Sequence, residues 1–149
     1  MHYRQATMED IEQLCELRKK QLIDEGGVAN RLIDDELRQF FTSKMQDHDL
    51  IQILLEDEGR IVACGALVFY EFPPSFSSGS SIKGYVTNMY TEPNYRKRGI
   101  ATTLLEKLVE VAKARQVNQL WLGASELGKP VYKKFGFQES DVWMDYIIE

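Results

Sequence analysis

Between Gly84 and Arg115 the chain passes from strand to turn to helix, and the turn constrains the fold most. Gly84-Tyr85-Val86-Thr87-Asn88-Met89-Tyr90-Thr91 has the composition of a strand, and residues 100–115 have the spacing of a helix. Arg96-Lys97-Arg98-Gly99-Ile100-Ala101 joins them. The first turn of a helix has N–H groups without intrahelical acceptors and the positive end of the helix dipole, so phosphate oxygens find donors already aimed at them. Gly99 lets a ligand approach the backbone with no Cβ in the way, and Ala101 keeps the next contact small. Three cations in the turn add charge to the dipole.

The rest of the sequence reads as one α+β domain spanning residues 1–149. A length of 149 residues and 44% hydrophobic content suffice for a real core. Residues 1–6 read as a first strand. Thr7 and Asp10 mark a helix start, and Ile11, Leu14, Cys15, Arg18 and Leu22 carry that helix to about Glu25, where Gly26-Gly27 stops it. A second helix spans residues 32–45. Residues 50–55 and 60–70 are strands joined by the tight turn Glu56-Asp57-Glu58-Gly59, and residues 72–81 are a Pro/Ser loop. After the strand at 82–91 and the helix at 100–115, residues 119–123 form a strand and residues 130–135 a short helix capped by Gly136. Strands at 137–138 and 142–148 close the chain.

The start of the sequence has no signal-peptide core, and the apolar run at 61–70 is far shorter than the ~20 residues of a membrane span. Two cysteines, Cys15 and Cys64, make neither a disulfide framework nor a zinc cluster. No metal ligand set appears, and a cytosolic protein is expected. A net charge of −5 disfavours nucleic acid as a partner. The charge is uneven: residues 83–134 hold 10 Lys/Arg against 4 Asp/Glu, a balance of +6, and the remainder balances at −11. One part can attract a polyanion while the other attracts a cation.

The turn contains neither Gly-x-x-x-x-Gly-Lys-Ser/Thr nor Gly-x-Gly-x-x-Gly, which excludes the two common nucleotide fingerprints. The order Arg-x-x-Gly-x-Ala at Arg96 to Ala101, directly after Thr91-Glu92-Pro93-Asn94-Tyr95, resembles the pyrophosphate loop of the GCN5-related N-acetyltransferases. The order of elements resembles that family over nearly the whole chain, and Leu120-Trp121-Leu122-Gly123-Ala124-Ser125 with Tyr132-Lys133-Lys134-Phe135-Gly136-Phe137 after it matches its second characteristic region. The resemblance implies a mostly antiparallel sheet with helices on both faces, and acetyl-CoA as co-substrate. Its pyrophosphate is expected on Arg96, Lys97, Arg98, Gly99, Ile100, Ala101 and Thr102, and its pantetheine arm along the backbone of Met89, Tyr90 and Thr91 and beside Ser125. Tyr132 is placed beside the thioester sulfur, where a phenol can protonate the departing thiolate.

An amine acceptor needs a base, because a lysine-like amine with a pKa near 10.4 is almost wholly protonated at pH 7. Glu71, Asn88 holding a water, and Glu25 are the candidates, and the sequence does not choose among them. Cys15 and Cys64 lack a neighbouring His in sequence, so direct attack is favoured over an acyl-enzyme. The expectation is an N-acetyltransferase acting on a primary amine of a small molecule or peptide, with a homodimer left open. The competing readings are a non-catalytic acyl-CoA-binding sensor and an interaction domain whose basic loop binds another anion. Asp24, Glu25 and Glu71 suggest a cationic acceptor.

Overall fold

Two apolar stretches with scarcely a polar interruption form the centre of the sheet. β2 (Leu50–Asp57) and β3 (Arg60–Glu71) are buried on both faces for most of their length, as strands covered by helices above and below must be. In the computed structural model, which describes residues 1–76 and 80–149, they join through Glu58 and Gly59, both at positive φ (51° and 75°). That pair of conformations gives a turn whose twist matches the strands.

β1 (His2–Gln5) flanks β2, and β4 (Ile82–Thr91) flanks β3, all antiparallel; β5 (Leu120–Trp121) adds in parallel beside β4. The strand order is therefore the chain order, β1-β2-β3-β4-β5. α1 (Ile11–Asp24) and α2 (Asp34–Gln46) cover one face, where Leu14, Cys15, Leu17 and Phe41 pack on Leu54, Cys64 and Val68. α3 (Ile100–Ala114) covers the other: Ile100, Leu104, Leu105 and Leu108 pack on Leu55, Ala63 and Leu67, and α4 (Lys129–Phe135) leans on this cluster. The four aliphatic side chains of α3 alone contribute roughly 6–12 kcal/mol as an upper figure.

Several expectations are corrected. The first helix is preceded by a 3₁₀ turn, Met8–Asp10, before α1 begins at Ile11. The strand expected over residues 119–123 pairs only at Leu120–Trp121, because the chain then parts from β4. The strands expected at 137–138 and 142–148 are absent. Alternating apolar residues report strand composition, but a strand also needs a ladder partner, and beyond α4 the chain pairs with no strand of the sheet. Residues 77–79 of the expected Pro/Ser loop lie outside the described residues.

Candidate functional site

The site begins where β3 and β4 slip out of step. Cys64 faces Tyr90 and Ala66 faces Thr87, so Gly65 stands opposite both Asn88 and Met89. Asn88 takes a positive φ of 55°. Glycine opposite leaves the Met89 side chain its place: a Cβ on Gly65 would lie 2.4 Å from Met89 Sδ. A bulge of this kind takes one residue's backbone groups out of the ladder and bends the strand. Asn88 itself is buried, with Nδ2 donating to Gln52 Oε1 at 3.4 Å and its carbonyl accepting the Cys64 thiol at 3.1 Å.

Just past the bulge, Met89, Tyr90 and Thr91 form one wall of a cavity of about 350 Å³. The second wall is the turn into α3. Lys97 and Gly99 both have positive φ (63° and 77°), and the first intrahelical bond runs from Thr103 N–H to the Gly99 carbonyl at 3.1 Å. The N–H groups of Ile100, Ala101 and Thr102 precede that bond and so have no intrahelical acceptor. A Cβ on Gly99 would meet no protein atom within 4 Å, so the space above it is open to a ligand. The turn is pinned from outside: Tyr95 donates its hydroxyl to Asp57 Oδ2 at 2.6 Å. Arg96 donates Nε to the Thr91 carbonyl at 2.8 Å and pairs its guanidinium with the Asp24 carboxylate.

Ser125, Leu127, Gly128, Val131 and Tyr132 make the third wall. Ser125 Oγ accepts the Gly128 N–H at 3.1 Å, and a Cβ on Gly128 would lie 2.8 Å from the Tyr132 ring, so glycine gives the ring its place. Burial, and then the nearby charge of Glu25, push the Tyr132 phenol up to about 12. Gln21, Asp24 and Glu25 close the cavity from the end of α1. Gln21 Nε2 donates to Glu25 Oε1 at 3.1 Å, and Gly26, at φ 92°, ends the helix there.

The cavity thus gathers Met89, Tyr90, Thr91, Arg96, Lys97, Gly99, Ile100, Ala101, Thr102, Ser125, Tyr132 and Glu25 from four separate parts of the sequence. Three expected residues fall outside it. Arg98 lies over the Tyr95 ring, 5.1 Å from its centroid. Asn88 is buried against Gln52 and is not among the cavity-lining residues. Glu71 ends β3 opposite Ile82, exposed and away from the cavity lining. Sequence reasoning missed Gln21, Leu127, Gly128 and Val131. Gly128 next to Lys129-Pro130 was a legible helix-start signal, whereas Gln21 gave none.

The thiols are poor nucleophiles: burial pushes Cys64 up to about 12 and raises Cys15 as well. Among the described residues, no group of three or more His, Cys, Asp or Glu is placed to hold a metal.

A predicted acetyltransferase of Clostridium acetobutylicum, crystallised with acetyl-CoA, superimposes with a TM-score of 0.96 at 46% identity, over 98% of this chain and 95% of that one. A GCN5-related N-acetyltransferase from Ralstonia eutropha gives 0.89 at 26% identity, over 98% and 97%. Among curated relatives, the glucosamine 6-phosphate N-acetyltransferase of Trypanosoma brucei brucei is 30% identical over 80 residues, 54% of this chain and 52% of that protein. The thialysine N-epsilon-acetyltransferase of mouse is 28% identical over 100 residues, 63% and 56%. The chain spans about half the length of these two relatives. The match to the sequence model of the acetyltransferase (GNAT) family covers residues 11–137, which include every wall of the cavity, and the chain belongs to that family.

Proposed function

We propose that this chain transfers the acetyl group of acetyl-CoA to a primary amine of a small molecule or peptide, by direct attack within a ternary complex. The supporting observation is that one cavity carries an N–H-rich helix start, a phenol held neutral and a carboxylate facing that phenol. The clostridial neighbour crystallised with acetyl-CoA supports the choice of donor. The relatives' names span an amino-sugar phosphate and an amino-acid side chain, so the acceptor is argued from this cavity alone.

The pyrophosphate is received by the N–H groups of residues 100–102 and by Lys97, while the open space over Gly99 admits the phosphate oxygens. Pantetheine runs along Met89 to Thr91 as an added strand, and a backbone N–H released at the bulge faces the thioester carbonyl, where negative charge grows during attack. Glu25 is the assigned proton acceptor for the incoming ammonium, since it lines the cavity and Glu71 and Asn88 do not. The neutral amine forms the C–N bond, the C–S bond breaks, the leaving thiolate takes the proton of Tyr132, and the proton that the attacking nitrogen sheds as the amide forms returns through solvent to the Tyr132 phenolate. Two free, buried cysteines suit a reducing, cytosolic compartment.

The test is acetyl-CoA consumption over a panel of amines, polyamines, amino acids and peptide N-termini, with wild type and Tyr132→Phe side by side. Saturable consumption with at least one amine, lowered by the variant, is expected. Tight acetyl-CoA binding with no consumption across the panel would favour the sensor reading instead.

A further inference from the structure

Five aromatic rings gather where β5 leaves β4. The two strands pair at Gly84–Leu120 and Tyr85–Trp121 and then part. Four residues further along each strand, Met89 and Ser125 line the cavity, so the rings stand at one end of the gap whose other end is the cavity. Trp121 is the hub: its ring lies 5.1 Å from that of Tyr85, 5.5 Å from Phe72, 5.9 Å from Tyr70 and 6.5 Å from Trp143, centroid to centroid. Core packing alone does not account for them, since Tyr70 is 39% and Trp143 56% exposed. Tyr85 reaches along the gap: a Cβ on Gly123 would lie 3.9 Å from its hydroxyl. After burial and the charge of Glu25, the Tyr85 phenol is the third influence that raises Tyr132.

The rings occupy the face from which an acceptor can reach the thioester. Tyr85 packs with Cys64 and Val68 in the cluster under α1 and α2, whereas Leu120 and Leu122 pack with α3. Alternation along the strand puts Trp121 on the face of Tyr85. Tyr132 belongs to the α3 cluster, so the thiolate leaves on that side and the opposite face is open to the incoming amine. Glu25, at the end of α1, comes from this same opposite face. Resting on the acetyl-transfer reading above, we propose that the aromatic cluster is the acceptor subsite, and that it takes a primary amine joined by a short chain to an aromatic ring, with no second positive charge.

Two properties of the cluster select that occupant. A further ring can make the same edge-on and offset contacts that these rings make with one another. It also has few torsions to freeze, whereas a flexible alkyl chain loses more freedom on being held. Charge decides the rest. Lys83 Nζ stands 4.5 Å from the centroid of Phe72, and Lys44 Nζ stands 5.6 Å from that of Tyr70. An acceptor with a second ammonium at this end would meet both cations, which selects against diamines and polyamines. The single ammonium belongs at the other end, beside Glu25, where it gives up its proton.

The test is kcat/KM for 2-phenylethylamine, butylamine, spermidine and phenylalanine with the full chain and with Trp121→Leu, Tyr85→Leu and Lys83→Glu. In the wild type, 2-phenylethylamine should exceed butylamine about tenfold, the worth of ring contacts of this kind, and should exceed the other two by more. Trp121→Leu and Tyr85→Leu should each bring that ratio within about threefold, chiefly through KM. Lys83→Glu should raise spermidine relative to 2-phenylethylamine. The proposal is overturned if butylamine, spermidine or phenylalanine matches 2-phenylethylamine in the wild type. It is equally overturned if the ratio survives either ring substitution in a chain that still binds acetyl-CoA. Should no amine be acetylated, the acetyl-transfer reading fails by itself, and binding then judges the subsite. Both tryptophans of the chain, Trp121 and Trp143, lie in the cluster. Their fluorescence should therefore change saturably with 2-phenylethylamine in the presence of CoA and not with butylamine, and a flat titration would overturn the subsite as well.

Discussion

A phenol that stays neutral at high pH serves a reaction in which something must leave as an anion. Burial and the charge of Glu25 both act in that direction on Tyr132, holding it near 12. Tyr132→Phe keeps the ring and its edge-on contact with Phe137, 5.9 Å between centroids, and removes only the proton. Turnover should fall about 10²-fold with acetyl-CoA affinity unchanged, the range of a lost general acid. Steady-state kinetics beside calorimetric binding checks both halves, and unchanged turnover would make Tyr132 a packing residue. Glu25→Gln should also lower turnover about 10²-fold at pH 7, but its deficit should shrink as pH rises toward 10, because an amine that is already neutral needs no proton acceptor. The wild-type rate should climb from pH 6 to 9 for the same reason. Tyr132 should not reverse that climb, since a raised pKa keeps the donor form populated until the pH nears 12.

At the scale of elements, the bulge and the first turn are the pieces whose removal is diagnostic. Gly65→Ala drives a methyl into Met89 Sδ, so the Met89 side chain must leave its place beside the bulge. Stability should drop about 1–3 kcal/mol, and acetyl-CoA affinity should weaken at least tenfold, because Met89 to Thr91 are the cavity wall. Denaturant melts and binding titrations measure the two effects, and full affinity in the variant would detach the bulge from the site. Asp10, which closes the turn before α1, accepts from both terminal nitrogens of Arg4 at 2.8 Å and from the Thr7 N–H at 2.7 Å. The guanidinium of Arg4 holds its carboxyl below the usual range. A depressed carboxyl stabilises the fold above the unfolded value near 4 and loses that effect as pH falls through the folded value. Asp10→Asn should therefore cost about 2 kcal/mol at neutral pH and progressively less below pH 4, as read by chemical denaturation at several pH values. Much of this was legible beforehand. The glycine turn, both flanking elements and the Glu58-Gly59 hairpin were readable because local backbone geometry dictates their residues. Which carboxylate lines the cavity and the fate of residues 138–149 were not. Whether Glu25 or Glu71 shares the cavity with Tyr132 depends on how α1 crosses the sheet, and a strand-like sequence does not say whether a ladder partner lies beside it.

Over the whole molecule, the cavity stands between a region of residues 83–134 at +6 and a remainder at −11. Asp24 and Glu25 bring the negative region to the cavity mouth, although Asp24 is already engaged with Arg96. Cationic amines should therefore be acetylated faster than acidic ones, and the preference should fade between 20 and 300 mM salt as charges separated by more than about 10 Å are screened. Glutamate emerging as the best acceptor would remove electrostatics from the account. The identity of strand order and chain order bears on how the molecule forms. β2, β3 and β4 follow one another in sequence and in the sheet, so loop-closure entropy is small for that meander. The β1–β2 pairing spans α1 and α2, and the parallel join to β5 requires the chain to travel through α3 first. A nascent chain leaving the ribosome can thus complete its four antiparallel strands before the last cavity wall has been synthesised. Mutations in β2 and β3 should slow refolding, whereas those in α4 should chiefly speed unfolding. The protein would then become a folded object before it can become an active one.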